Sequence, residues 1–294
     1  MCIFSCDLGG TYTKWGIFKN DCLIENGQFK SNASKGGKAL LDTLVKKIKE
    51  MQTKYEINGI AISSAGTIDH ISGMVVQASD IIPGYKGMNI IEYIQKHIAL
   101  PITVDNDVNC AMYAEAVAGA AKEAKMVFGI TLGTGVGSAI IINKEIYHGS
   151  KGFAGEIGYL TIGQDVLDLS GSTRGLAMRV ATRKKEDHSL WDGKRVFEGY
   201  FKKDIICIEE IDALTENISE VLKMAICFLN PDMIVIGGGI LAQKDILLPQ
   251  IIQKTSKKVP FVISDNLMIK ACEFENQAGI YGAYYLYKEK MNER

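Results

Sequence analysis

The sequence predicts an α/β protein of two domains, and three observations carry that prediction. Amphipathic helical stretches alternate with short apolar runs along the whole chain. The length, 294 residues, suits about two ordinary domains. One strand–glycine-turn–strand pattern also occurs twice. Phe4 to Phe18 reads FSCDLGGTYTKWGIF and Phe128 to Ile142 reads FGITLGTGVGSAIII. Each has Phe, three residues, Leu-Gly, a turn and an apolar run, as two related halves would.

In chain order, Cys2 to Leu8 is a buried-type strand, Gly9-Gly10 a turn, Tyr12 to Phe18 a second strand and Cys22 to Phe29 a third, an antiparallel meander. Residues 36–54 place Leu40, Leu41, Leu44, Val45, Ile48 and Met51 on one helical face. A strand follows at Ile57 to Ser63, a helix at Asn89 to Ala99 and a strand at Ile102 to Val104. Asp107 to Ala121 is an Ala-rich helix with Asn106 or Asp107 as its N-cap. After the second glycine turn come helices near 172–184 and 210–228, a strand at Met233 to Ile236 and a helix from about Ile240. A strand at Leu267 to Cys272 and a last helix from near Gln277 close the chain. No Pro/Gly/Ser-rich linker separates the halves, so the boundary falls in a helix or short loop near 115–125.

Composition narrows the class. With 47% apolar and 23% charged residues the chain is globular, not disordered or fibrous. Lys plus Arg (33) nearly balances Asp plus Glu (34), so nothing attracts nucleic acid nonspecifically. No apolar run is long enough for a transmembrane helix, and MCIFSCDLGG does not read as a signal peptide. Seven cysteines without a C-x-x-C pair point to free thiols in a reducing cytoplasm. The four histidines form no H-x-x-H or H-E-x-x-H pair, and His148 reads as a surface residue.

The chemistry concentrates in glycine turns and one acidic cluster. Asp7-Leu-Gly-Gly-Thr-Tyr-Thr-Lys14 puts an acid at a strand end, then glycines and hydroxyls that can approach phosphate oxygens; a plain Asp-capped hairpin is the alternative. Thr131 to Gly137 offers the same cradle, but its G-x-G-x-G spacing leads into the strand-like SAIII. Dinucleotide and Walker motifs both need a helix there, so both are disfavoured. Gly237-Gly238-Gly239 lies between a strand and a helix, where an adenosine could pack or where the chain simply turns. Asp105-x-Asp107-x-Asn109 mimics the start of a calcium loop, yet its sixth position is Cys110 and its twelfth Ala116, which excludes calcium. Helix capping explains one polar group of this cluster, and the surplus carboxylate invites a catalytic role. Gly155-Glu156-Ile157-Gly158-Tyr159 is a further polar insertion, with a surface turn as its alternative.

Taken in order, these segments resemble the ROK family of sugar kinases within the actin-like ATPase superfamily. The matching stretches are DLGGTYTK, SSAGTID, IPGYKG, VDNDVNCAMYAEAVAGAA, TLGTGVGSA, GSKGFAGEIGY, PDMIVIGGGI and NQAGIYGA, from residue 7 to about 283. The resemblance implies two RNase H-like α/β domains with mixed sheets flanked by helices, 1–118 and 119–294, with the helix at about 277–290 a candidate to pack back on the first. It implies ATP in the interdomain cleft, a hexose beside its γ-phosphate, a cytoplasmic enzyme and a homodimer. Carried over by position, Asp107 is the general base for the sugar 6-hydroxyl. Asn106, Glu156, Tyr159 and the backbone of Gly66 meet the sugar. Asp7 organises Mg²⁺ through water, and Gly9, Gly10, Thr11, Lys14, Thr134 and Gly135 hold phosphates. Gly238 and Gly239 pack on the adenosine.

The departures from the family pattern are specific. The family's G-E-x-G-H followed by C-x-C-G-x-x-G-C-x-E binds zinc through His and three Cys. Here those positions hold Tyr159, Asp168, Ser170 and Gly175, and the final Glu is Ala177. Only Asp168 could ligate zinc, so no zinc is expected. Tyr at the His position resembles N-acetylmannosamine kinases and β-glucoside kinases. Loss of polar groups near the sugar's 2-position at Tyr159 and Ala177 favours N-acetylmannosamine, with a β-glucoside or glucose as alternatives. ROK transcriptional repressors carry a winged-helix segment before the first glycine turn. Here that turn begins at residue 7, and a retained Asp107 argues against a non-catalytic sensor.

Overall fold

The computed structural model describes residues 1–292, which divide into two compact units. Among the described residues the first comprises 1–118, 148–154 and 277–292, and the second 119–147 and 155–276. The C-terminal helix Ala278–Asn292 therefore belongs with the N-terminal residues, as does the short segment 148–154.

In the first unit, β1 (Cys2–Leu8), β2 (Tyr12–Lys19) and β3 (Cys22–Lys30) form the antiparallel meander. Helix α1 (Gly37–Gln52) follows. Strand β4 (Gly59–Ser64) then pairs parallel to β1. A hairpin of β5 (Thr67–Asp69) and β6 (Met74–Gln77) was not legible in the sequence. Helix α2 (Ile90–Gln95) is shorter than its apolar pattern. Strand β7 (Ile102–Asn106) completes the sheet, and α3 (Asp107–Ala118) starts directly from it. Sheet order is β3-β2-β1-β4-β7. β1 is central and almost wholly buried, so its apolar run is continuous rather than alternating, whereas the edge strand β3 alternates half-buried and exposed. The predicted face of α1 is buried against this sheet's core. The C-terminal helix crosses α3 so closely that a Cβ on Gly282 would run into the Cys110 carbonyl.

The second unit repeats the plan. β8 (Met126–Leu132), β9 (Val136–Ile142) and β10 (Glu145–Ile146) form a meander. A small hairpin, β11 (Thr161–Ile162) and β12 (Asp165–Val166), leads into α4 (Leu167–Ser170) and α5 (Thr173–Lys184). Helices α6 (Gly193–Phe201) and α7 (Ile205–Leu229) precede β13 (Met233–Gly237), which is parallel to β8. Helices α8 (Lys244–Ser256) and α9 (Phe261–Ser264) lead to β14 (Met268–Ala271). The order is β10-β9-β8-β13-β14. Helix α7 is capped by Asp204, whose carboxylate accepts the Ile206 and Cys207 N–H groups, and it ends at left-handed Asn230. Its buried Leu214, Ile218 and Leu222 anchor this unit's core. Among the described residues, no helix is long and apolar enough to cross a membrane.

Candidate active site

The first unit gathers carboxylates at the C-terminal ends of β1 and β7. Asp7 faces Ser63 on the parallel strand β4, and Ser63 Oγ donates to Asp7 Oδ1 at 2.7 Å. Gly279, at the start of the C-terminal helix, abuts this carboxylate; a Cβ there would lie 2.7 Å from Asp7 Cγ and 3.0 Å from each oxygen. Burial raises the Asp7 pKa, opposed by the Ser63 hydrogen bond and the charge of Lys14, its antiparallel partner on β2. A hard carboxylate that burial disfavours, held by one hydroxyl, is chemically suited to Mg²⁺, directly or through water. Gly9, Gly10 and Thr11 form the turn that follows, with Gly10 and Thr11 exposed.

At the other strand end the helix cap resolves to Asn106. Its Oδ1 accepts the Val108 and Asn109 N–H groups at 2.9 and 3.1 Å. Its Nδ2 donates to the Gly66 carbonyl and to Asp107 Oδ1, each at 2.9 Å. Val108 N–H also donates to Asp107 Oδ1 at 2.9 Å. Asp107 thus occupies the first helical position, half-buried, with its carboxylate oriented by two donors and favoured by the helix N-terminus. Gly66 sits at φ +96°, where a Cβ would meet the Gln77 carbonyl at 2.6 Å, so this turn requires glycine. Beneath the cluster, burial raises the Cys110 thiol pKa well above its ordinary value, and Asp105, Asp7 and Asp107 raise it further. Asp7, Gly66, Asn106 and Asp107 are thus brought to one place.

In the second unit, Thr134 and Gly135 lie in the turn between β8 and β9, where Gly133 N–H donates to the Gly135 carbonyl at 2.9 Å. Asp168 closes this turn: its Oδ1 accepts Val136 N–H at 3.0 Å and its Oδ2 accepts Arg174 Nη2 at 2.9 Å. A Cβ on Gly158 would meet the Val136 carbonyl at 2.8 Å, so the segment bearing Glu156 and Tyr159 packs on the same turn. Tyr159 is exposed, while Glu156 is half-buried. Gly238 and Gly239 follow β13, and a Cβ on Gly238 would collide with the Leu132 carbonyl at the end of β8. Both glycine turns of this unit therefore lie at one end of its sheet.

Two expectations change. Ala177 is packed in the core of the second unit, so replacing a Glu there opens no space at a surface. His148 is not a surface residue: its side chain is 15% exposed and its Nε2 lies 2.8 Å from Asp105 Oδ2. Sequence reasoning also missed Ser63, Gly279 and the bracing role of Asp168. For zinc, the four family positions supply a phenol, a carboxylate, a hydroxyl and a glycine, a donor set that does not fit the metal. No group of three or more His, Cys, Asp or Glu among the described residues is placed to hold a metal ion.

A model of the ROK family matches residues 3–290. An uncharacterized protein of Clostridium perfringens is 35% identical, with 97% of each chain covered. A glucokinase of Halalkalibacterium halodurans is 29% identical, covering 97% of this chain and 94% of its own. A β-glucoside kinase of Listeria monocytogenes is 26% identical, with 99% of each covered. The crystal structure of a ROK family glucokinase from Streptomyces griseus, in complex with glucose and AMPPNP, shares the fold. Its TM-score is 0.83 at 20% identity, over 98% of this chain and all of that one.

Proposed function

The chain belongs to the ROK family, and on that premise we propose that it is an ATP-dependent kinase of the hexose 6-hydroxyl. The observation that carries this reading is the β7–α3 turn, where Asn106 caps the helix and leaves Asp107 beside it with an oriented carboxylate. Phosphoryl transfer asks a protein mainly for positioning, charge neutralisation and a base for the incoming hydroxyl. Asp107 accepts the 6-hydroxyl proton as the sugar oxygen bonds to the γ-phosphorus and the bond to ADP breaks. Asn106, Gly66, Glu156 and Tyr159 orient the sugar. Gly9, Gly10, Thr11 and Lys14 in the first unit, and Thr134 and Gly135 in the second, offer N–H, hydroxyl and ammonium donors to phosphate oxygens. Gly238 and Gly239 leave a flat backbone for the adenosine. Mg²⁺, when bound beside Asp7, supplies positive charge to the phosphates.

For the sugar, N-acetylmannosamine is the favoured substrate. Its support is Tyr159, an exposed hydroxyl where the family pattern has an imidazole; the burial of Ala177 removes the second support. A β-glucoside is the second reading, favoured by the Listeria relative's name. A coupled ADP-release assay across N-acetylmannosamine, cellobiose, glucose, N-acetylglucosamine, mannose and fructose tests both levels. Sugar-dependent ADP release with a 6-phosphate product is expected, with kcat/KM highest for N-acetylmannosamine. Discrimination rests on pocket hydrogen bonds worth ~1–3 kcal/mol each. A tenfold lead for cellobiose replaces the substrate, and no sugar-dependent release at all rejects the kinase.

A further inference from the structure

Asp105 is a charged residue the reaction does not use. It is 2% exposed, and a buried carboxylate must be hydrogen-bonded to be tolerated. Its Oδ1 accepts the Asn106 backbone N–H at 2.8 Å and Asn109 Nδ2 at 2.9 Å, which ties both ends of the Asn106 cap. Its Oδ2 accepts His148 Nε2 at 2.8 Å. His148 begins segment 148–154, the stretch that belongs to the first unit although its flanks belong to the second. The His148 carbonyl also accepts Ala154 N–H at 3.3 Å, which closes that segment into a loop. His70 lies flat on the other side of the same ring, with centroids 3.6 Å apart and planes 8° from parallel. The imidazole is therefore fixed in plane by a stack and in direction by a carboxylate.

We propose that His148 is a positioning residue for phosphoryl transfer: through Asp105 it holds the Asn106 cap, and through that cap the carboxylate of Asp107. The proposal rests on the kinase reading for its consequence and on geometry for its mechanism. Every link is a hydrogen bond: His148 to Asp105, Asp105 to the Asn106 backbone, and the Asn106 amide to Asp107. Burial alone would raise the Asp105 pKa; the His148 hydrogen bond and charge, with Asn109, outweigh burial and hold it below the ordinary carboxylate value. Without His148 the carboxylate faces burial with one oxygen unpaired, and protonation or rotation then disturbs the cap.

The test compares His148→Ala and His148→Gln in the wild-type and Asp107→Asn backgrounds. A misplacement of this kind costs about 10–100-fold in kcat, so His148→Ala should lose that much while the ATP KM stays within about twofold. Gln retains an N–H donor and should recover most of the loss. In the Asp107→Asn background, His148→Ala should cost little more, because both changes act on one group. A folded His148→Ala with wild-type kcat overturns the proposal. So do Ala and Gln variants that are equally impaired, and losses that multiply fully with Asp107→Asn. Amide exchange at Asn106, Val108 and Asn109 gives a readout independent of activity. It should accelerate at least about tenfold in His148→Ala, and still do so if the wild-type enzyme phosphorylates no sugar, which separates failure of the kinase reading from failure of the linkage. Unchanged exchange in both variants removes the linkage itself.

Discussion

The turn after β1 and the turn after β8 occupy the same place in two sheets of the same strand order, but each obtains its carboxylate differently. After β1 the acid is intrinsic: Asp7 closes the strand and is held by Ser63 from the neighbouring parallel strand. At the matching position near the end of β8 stands Thr131, and the carboxylate comes from Asp168 on α4, where it braces the Val136 N–H. The same contrast recurs two strands further out. β7 runs straight into α3 with Asp107 at the first helical position, whereas β14 ends at Ala271 and no helix starts directly from it. Similar scaffolds thus carry unlike electrostatics. The first unit concentrates carboxylates that are buried or half-buried at its strand ends. The second uses its charge to brace the backbone of its glycine turn.

The sharpest way to break this contrast is Asp107→Asn. The amide keeps shape and hydrogen bonding but removes basicity, so turnover should fall by about two to four orders of magnitude. Steady-state assays should find the sugar KM changed far less. Near-wild-type turnover would move the chemistry away from the first unit.

Next in size is Gly279→Ala. Its Cβ would press on Asp7 from 2.7 Å, against the group held by Ser63. Overpacking of this kind costs about 1–3 kcal/mol of stability, and displacement of Asp7 should cost about tenfold or more in kcat. The Mg²⁺ concentration for half-maximal rate should rise. Gly133→Ala is the matched control in the second turn, where nothing lies within 4 Å of the new Cβ; its melting temperature should stay at the wild-type value. Equal effects of the two substitutions would remove the asymmetry.

What the sequence made legible follows from range. Period and composition reveal local structure: the meander, the buried face of α1, the strand from Met233 and the last helix all lie close to their predicted places. The cluster around Asp107 was visible because VDNDVN holds more polar groups than one cap can use. The long-range partners were not. Ser63 bonds Asp7 across 56 residues, His148 reaches Asp105 across 43, and Gly279 meets Asp7 only once the C-terminal helix has packed back. A lone histidine or glycine carries no signal of its partner when the contact is made by topology. Ala177 misled for the same reason: a substitution in a motif says which group is lost, but only packing says whether space opened.

Asp168 gives a smaller test. Asp168→Ala leaves the Val136 N–H without its acceptor and Arg174 without its ion pair, at a cost of about 1–3 kcal/mol. The ATP KM should rise several-fold, with less change in kcat and in the sugar KM. Asp168→Asn keeps an acceptor and should fall between. If Asp168 acts as a brace and not as a metal ligand, a zinc chelator should change neither wild-type rate nor melting temperature once Mg²⁺ is restored. Inactivation rescued only by zinc would assign Asp168 to a metal.

The smallest effect expected is a pH dependence confined to the first unit. In the folded protein His70 titrates below its ordinary value of 6.5, first because burial disfavours the imidazolium and then because His148 opposes it; Lys290 adds to this, while Asp105 and Asp69 act the other way. Between the folded and unfolded values the unfolded chain binds more protons, so stability rises with pH across that window. The contribution of holding His70 neutral is therefore complete above 6.5 and is lost as pH falls below it. Asp105 makes its own loss in a separate window, below 3.8, because its folded value is depressed beneath that figure. His70→Phe keeps a flat ring against His148 and removes the proton. Melting curves from about pH 7.5 to about pH 4, above the window of Asp105, should show the wild-type temperature declining below 6.5 and the variant's declining less. Superimposable profiles would mean that the stack bears no charge penalty, and the acid sensitivity of the first unit would then rest on its carboxylates alone.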